Sequence, residues 1–178
     1  AGLLMLIGQI IDAIVTPAQG GSLRMFICND QRTQTSRLRD LETKERDTRL
    51  NTEETCLKYK ENVLSVANKL RTILEGLKKQ GKTIAGYGAA AKGFTILNCS
   101  NIGSETIDYF IDDSPAKQGR YTPVDHIPII SRKEAEKQLT DYFIILAPNY
   151  ADVIMKKELE YRKRGGKFIL PIGKIEIF

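Results

Sequence analysis

Residues 83–93 read TIAGYGAAAKG. A short apolar run ends at Gly86 and Gly88, three alanines follow, and Lys92 and Gly93 close the stretch. Crowding the least bulky residues at one point lets something approach the main chain closely. A lysine set among them marks the visitor as an anion. The residues before the glycines have strand composition, and AAAKGFTILNCS after them has helical spacing, so the local order is strand, tight turn, helix.

The same alternation continues outward from this stretch. TIDYFID reads as a strand, DSPAKQGRYTPVDH as a long polar loop, IPII as a short strand and SRKEAEKQL as a helix. Ser131 and Glu134 of that helix have capping-box spacing. DYFIILAP is a strand, YADVIMKKELEYRKR a helix stopped by Gly165 and Gly166, KFILPI a strand, and KIEIF a further edge. Strands alternating with helices predict an α/β domain with a mainly parallel sheet covered on both faces. Upstream, residues 53–80 carry Leu57, Val63, Leu64, Ala67, Leu70, Ile73, Leu74 and Leu77 at spacings of three and four. That is one long helix, with Thr52 as its N-cap and Gly81 as its stop.

Gly86, Gly88 and Ala91, between strand and helix, match the G-x-G-x-x-G/A fingerprint of a Rossmann-like first βα turn. In that reading Gly86 makes the tight turn, Gly88 lets a pyrophosphate touch the main chain, and Ala91 lets helix and strand pack. Main-chain groups of Gly86, Tyr87, Gly88, Ala89 and Ala90 then face the anion, with Lys92 adding a full charge to the helix N-terminus. About twenty residues on, Asp112 and Asp113 stand where such domains place a carboxylate for a ribose hydroxyl. A Walker A loop is excluded, because Phe94 and Thr95 follow Gly93.

Two further loops end strands at the same edge. In DDSPAKQGRYTPVDHIPI, Ser114, Lys117, Gln118, Arg120 and His126 offer donors for phosphates and sugar hydroxyls. In LAPNYAD, Asn149 is either an N-cap or a ligand group. The plain alternative for each is a solvated polar loop.

The N-terminal third differs. AGLLMLIGQIIDAIV is apolar but broken by Gly8, Gln9 and Asp12, too short to span a bilayer, and without the features of a signal peptide. It reads as a short helix and a first strand cut from a longer polypeptide. SLRMFICN gives a second strand, and the polar residues 30–52 read as a weakly ordered linker. The expected organisation is a partial N-terminal element and linker over 1–52, then a Rossmann-like domain over 53–178. Lys+Arg 27 against Asp+Glu 22 gives a net charge of +5 spread along the chain. No basic tail points to nucleic acid. Cys28, Cys56 and Cys99 are odd in number without a CxxC pair, so they read as buried reduced thiols of a cytoplasmic protein. His126, the single histidine, completes no metal cluster.

GGSLRMFICN, GYGAAAKGFTILN, IDYFIDDSPAKQGRYTPVDHIPI and YRKRGGKFILPI, in that order, resemble the C-terminal domain of S-adenosylmethionine-dependent C-methyltransferases. That family includes enzymes that methylate a carbon of nucleotide-linked deoxysugars. The resemblance runs over residues 17–173. It implies a three-part enzyme with a small zinc-binding domain, a central domain binding the methyl donor, and a C-terminal domain like this one. It also implies that the Tyr-His-Glu-His motif handling proton removal, the zinc ligands and the S-adenosylmethionine site lie in the upstream parts, so no catalytic residue and no cofactor is expected here. The implied partners are a nucleotide-diphosphate sugar and the upstream methyltransferase domain, not nucleic acid or membrane. Two positions depart from the pattern: Gln19 stands where a histidine is expected and Pro148 where an aromatic residue is expected. Two other readings stay open beside this one, an NAD or other dinucleotide-binding module and a non-catalytic scaffold.

Overall fold

The computed structural model describes residues 8–171 and 173–178; the helix expected at the very start of the chain lies outside the described residues. The chain packs as two compact units, one ending at Lys60 and one running from Glu61 to Phe178.

In the first unit, β1 (Gln9–Thr16) and β2 (Ser22–Cys28) form an antiparallel hairpin. Its connection turns through Gly20 and Gly21, at φ 81 and 128. Residues 30–52 are not a linker: they contain α1 (Ser36–Asp47). Thr35 caps it by accepting the Leu38 N–H, while its own hydroxyl donates to Asp12 Oδ1 at 2.6 Å. Arg37 pairs with the same Asp12 carboxylate. The helix is polar enough to pass for disorder because it buries one residue, Leu38. The three cysteines are free, as expected, but Cys56 and Cys99 are exposed rather than buried. They sit in the first turn of α2 (Glu53–Lys79) and at the last residue of α3 (Ala91–Cys99), where side chains face water.

The second unit holds a seven-stranded sheet in the order β5-β6-β4-β3-β7-β8-β9. β3 (Ile84–Tyr87), β4 (Phe110–Ile111), β6 (Pro128–Ile130), β7 (Tyr142–Ile145) and β8 (Lys167–Leu170) run parallel. The edge strands β5 (Arg120–Tyr121) and β9 (Glu176–Ile177) are antiparallel additions. β5 lies inside the expected long loop. Alternation along β3 sends Ile84 and Gly86 to one face and Ala85 and Tyr87 to the other. On the first face, Leu70, Leu74 and Leu77 of α2 and Leu97 of α3 pack on Ile84, Phe110, Ile144 and Ile169. On the second, α4 (Arg132–Ala135), α5 (Ala151–Lys157) and α6 (Leu159–Lys163) bring Ala135, Ile154 and Tyr161 onto Phe143 and Phe168. Phe110, Phe143 and Phe168 are fully buried, each contributing about 2–3 kcal/mol. This is the expected Rossmann-like α/β fold, with the strand pair and the long helix ahead of it. Thr52 accepts the Thr55 N–H and Gly81 (φ 74) ends the helix, as read from the sequence. Among the described residues no helix is long and apolar enough to cross a membrane.

Candidate functional site

β3 lies between β4 on one side and β7 on the other. The chain leaves β3 toward β4 and later crosses to β7, so the order reverses between β3 and β7. In open parallel sheets, ligands bind outside the carboxyl ends of the strands at such a switch point. The loops that frame it here are residues 88–90 after β3 and residues 146–150 after β7. The Leu146 N–H donates to Tyr87 O at 2.9 Å and ties the two together.

The small residues of the opening stretch divide into separate tasks. Gly86 is buried inside β3 and does not make the turn; a Cβ there would lie 2.3 Å from the Phe110 ring. Gly88 makes the turn, at φ +89, with its virtual Cβ 3.1 Å from Ala147 Cβ. Close packing of helix on strand falls to Gly93, whose Cβ would stand 2.5 Å from Leu146 Cβ, and not to Ala91, which is exposed. Gly86 and Gly93 are crowded most closely by the protein's own side chains, and Gly88 less so. The third position, the turn itself, leads into α3 with Ala90 at the N-cap and no side-chain cap. The small side chains of Ala89, Ala90 and Ala91 leave the approach to this helix start unobstructed, and a helix N-terminus is where an anion is received.

Asp112 does not present its carboxylate to a ribose. It is buried, Oδ2 accepts the Ala89 N–H at 2.8 Å, and Oδ1 accepts the Ser114 N–H at 2.9 Å. Lys117 Nζ donates to Asp112 Oδ2 at 3.0 Å and to Ala89 O at 2.9 Å. Gln118 Nε2 donates to Asp112 O at 2.9 Å. Lys117 thus knits the 112–118 loop to the glycine turn, while Ser114 and Gln118 bond Asp112 and order that loop. Asp113 points outward and pairs with Lys157 at 2.8 Å.

Of the remaining expected residues, Arg120 and His126 separate from this edge, whereas Tyr87 and Asn149 stay at it. Arg120 is exposed on β5, paired with Ile129 in the antiparallel register. β5 carries the chain away from the carboxyl edge, so His126, just ahead of β6, ends at the opposite edge with Nδ1 3.0 Å from Val124 O. It is excluded from the site by topology. Asn149 does not cap α5: it sits in a 3-10 turn, Pro148–Tyr150, and Tyr150 occupies the cap position without a side-chain bond. Tyr87 contributes main chain only. Its ring is buried on the second face and its hydroxyl donates to Glu158 Oε1 at 3.0 Å.

Glu158 was missed by sequence reasoning. It is 3% exposed and interrupts the helix expected over 150–164 at φ -100, ψ 29. Arg132 Nε donates to its Oε1 at 2.7 Å. Burial, together with this carboxylate, pushes the Tyr87 hydroxyl well above the usual tyrosine range. The signal was present in the spacing: Ala151, Ile154, Glu158 and Tyr161 lie on one helical stripe, so the carboxylate faces the core. The network braces the carboxyl edge from below. A hollow of about 280 Å³ beside α3, lined by Phe94, Asn98, Ile102, Phe110 and Asp125 among others, lies on the helix flank and not at the switch point.

A family model described as C-methyltransferase C-terminal domain matches residues 17–173. The C-methyltransferase NovU of Streptomyces niveus is 39% identical over 107 residues, covering 60% of this chain and 26% of that protein. The chain therefore spans about a quarter of the length of this curated relative. Among solved structures, UDP-D-quinovosamine 4-dehydrogenase from Vibrio fischeri is 22% identical, with a TM-score of 0.41 over 55% of this chain and 93% of that one.

Proposed function

Because the chain belongs to the family of C-methyltransferase C-terminal domains, we propose that it binds the nucleotide-diphosphate sugar of an S-adenosylmethionine-dependent C-methyltransferase. Its task is to hold the diphosphate and orient a keto-deoxysugar for methylation at carbon. The observation that supports this reading is the start of α3 at the switch point, where Ala90 gives no side-chain cap, with Gly88 at positive φ, Lys92 in the first turn and Lys117 bonded to Ala89 O. A diphosphate gains main-chain donors, the helix's partial positive charge and a lysine from one short stretch.

The chemistry needs a base to remove a proton alpha to the sugar carbonyl and an in-line approach of that carbon to the methyl group. S-adenosylmethionine, when bound, supplies the methyl group as an electrophile. The residues of this chain do not fit that donor: Asp112, the carboxylate best placed for a nucleoside ribose, is engaged by Ala89 N–H and Lys117. The donor and the base belong to the upstream methyltransferase domain in this reading. The hairpin supports such a partner. Leu23, Met25, Phe26 and Ile27 of β2 are all at least 40% exposed, and a two-stranded sheet is marginal alone.

The test is calorimetric titration of the chain with thymidine diphosphate, a thymidine diphosphate sugar and NAD. The thymidine nucleotides bind and NAD does not. Binding of NAD alone replaces this reading with the dinucleotide one. Gly88→Val abolishes binding, with folding checked in parallel because φ +89 strains a β-branched residue. The purified chain alone shows no methyl transfer to a keto-sugar nucleotide; measurable turnover overturns that part.

A further inference from the structure

Asp112 occupies the position, at the end of the strand next to the glycine turn, from which a dinucleotide-binding domain reaches a ribose diol. Here both oxygens face inward, Oδ1 to the Ser114 N–H and Oδ2 to the Ala89 N–H and Lys117. Its side chain is 11% exposed and that of Lys117 is 44% exposed. Lys117 closes the arrangement by bonding Ala89 O as well. Both main-chain polar groups of Ala89 are thereby held by one ion pair that also spans the two loops.

We infer that Asp112 and Lys117 form a clamp that fixes the glycine turn for the ligand's diphosphate, and that this clamp makes the domain indifferent to the nucleotide's 2′-hydroxyl. The inference rests on the diphosphate reading above and adds a selectivity to it. A carboxylate spent on a main-chain N–H and an ammonium has no free geometry to chelate a diol. The Ala89 N–H, turned to Asp112, is withdrawn from the anion, so the ligand meets the donors that follow it. Asp112 is a positioning residue in this scheme, since it acts on the ligand only through Ala89.

The deciding pair of probes is UDP and 2′-deoxy-UDP, which share base and diphosphate and differ in one hydroxyl. Wild type binds both within about twofold. Asp112→Asn weakens both equally, about tenfold, because the clamp loses its charge-assisted bonds. UDP binding tenfold tighter than its deoxy form, with the difference lost in Asp112→Asn, identifies a ribose ligand and overturns the clamp. If wild type binds neither probe, the diphosphate reading fails on its own, and the clamp is read from the Ala89 amide by NMR. Its hydrogen exchange accelerates at least about tenfold, and its resonance moves upfield, when the carboxylate acceptor is lost. An unchanged Ala89 amide in Asp112→Asn overturns the clamp. Should Asp112→Asn fail to fold, the half-exposed Lys117→Met carries the same measurements. It weakens both probes equally and accelerates exchange at Ala89; no change in either overturns the inference.

Discussion

At the amino edge of the sheet, the Ile84 N–H donates to Asp108 Oδ2 at 3.0 Å. The Thr83 N–H and hydroxyl donate to Asp141 Oδ2 at 2.8 and 2.9 Å, and the Asp141 N–H returns a bond to Thr83 Oγ1 at 2.9 Å. Lys78 and Lys82 pair with the two carboxylates. At the carboxyl edge of the same strands, Gly88 and Ala89–Ala91 lead into a helix without a side-chain cap. The amino edge spends its polar side chains on the strand starts themselves. The carboxyl edge sets two carboxylates one layer down, Asp112 under the glycine turn and Glu158 beneath Tyr87. One end ties its strand starts with exposed side chains, and the other is braced from below, with no side-chain cap at the start of α3.

The largest expected effect tests that bracing. Glu158→Ala leaves Arg132, whose side chain is 19% exposed, without its main partner. Breaking a buried pair costs about 3–5 kcal/mol, read as a lower urea midpoint. Tyr87→Phe, which removes one hydrogen bond to the same carboxylate, costs about 1 kcal/mol. If Glu158→Ala costs less than a comparable change at Asp141, the carboxyl edge has no deeper support than the amino edge and the comparison breaks.

Asp141→Ala comes next, at about 1–2 kcal/mol. Its several charge-assisted bonds are discounted because the side chain is 40% exposed. Ligand affinity stays within about twofold, since the change lies at the far edge. The effect has a pH signature. The Thr83 N–H, with the Thr83 hydroxyl and Lys82, holds the Asp141 carboxyl below the usual aspartate range. A depressed folded value contributes stability above the unfolded pKa, about 3.9, and loses it as pH falls through the folded value. The gap between wild type and Asp141→Asn is therefore constant near neutrality and closes on acidification below about pH 4. A gap that persists in strong acid refutes the assignment.

Much of this contrast was legible in the sequence, and the failures have physical causes. Period and punctuation located β3, α3 and the switch-point loop, because glycine, alanine and apolar spacing are local signals. The glycine roles were misassigned by two residues at each end, since Gly86 answers Phe110 and Gly93 answers Leu146, residues remote in the chain. Asp112 was correctly placed at the strand end, but its direction depends on Lys117 and on a main-chain N–H that spacing does not reveal. His126 was lost because two residues of antiparallel pairing, Arg120 and Tyr121, reverse the loop. α1 was lost because a helix that buries one leucine has almost no apolar period. Glu158 was legible in principle, as a charge on an apolar stripe.

The smallest change in folding is expected where the functional reading is sharpest. Lys92 is exposed in the first turn of α3, and Lys92→Ala shifts the unfolding free energy by no more than about 0.5 kcal/mol. The same substitution weakens thymidine diphosphate about tenfold, the equivalent of about 1.4 kcal/mol, if it removes one charge-assisted contact to the diphosphate. Lys82→Ala is the matched control. It deletes the same charge at the amino edge, where Lys82 pairs with Asp141. A strand of four residues, such as β3, separates the two edges by roughly 13 Å at about 3.3 Å per residue. That exceeds the Debye length of about 10 Å at 0.1 M salt, so a general loss of positive charge acts weakly across it. Lys82→Ala then leaves affinity within about twofold while Lys92→Ala does not, and raising the salt narrows the gap between Lys92→Ala and wild type. Equal losses from both variants would mean that the ligand answers the protein's overall charge, and that the open carboxyl edge is not where the diphosphate sits.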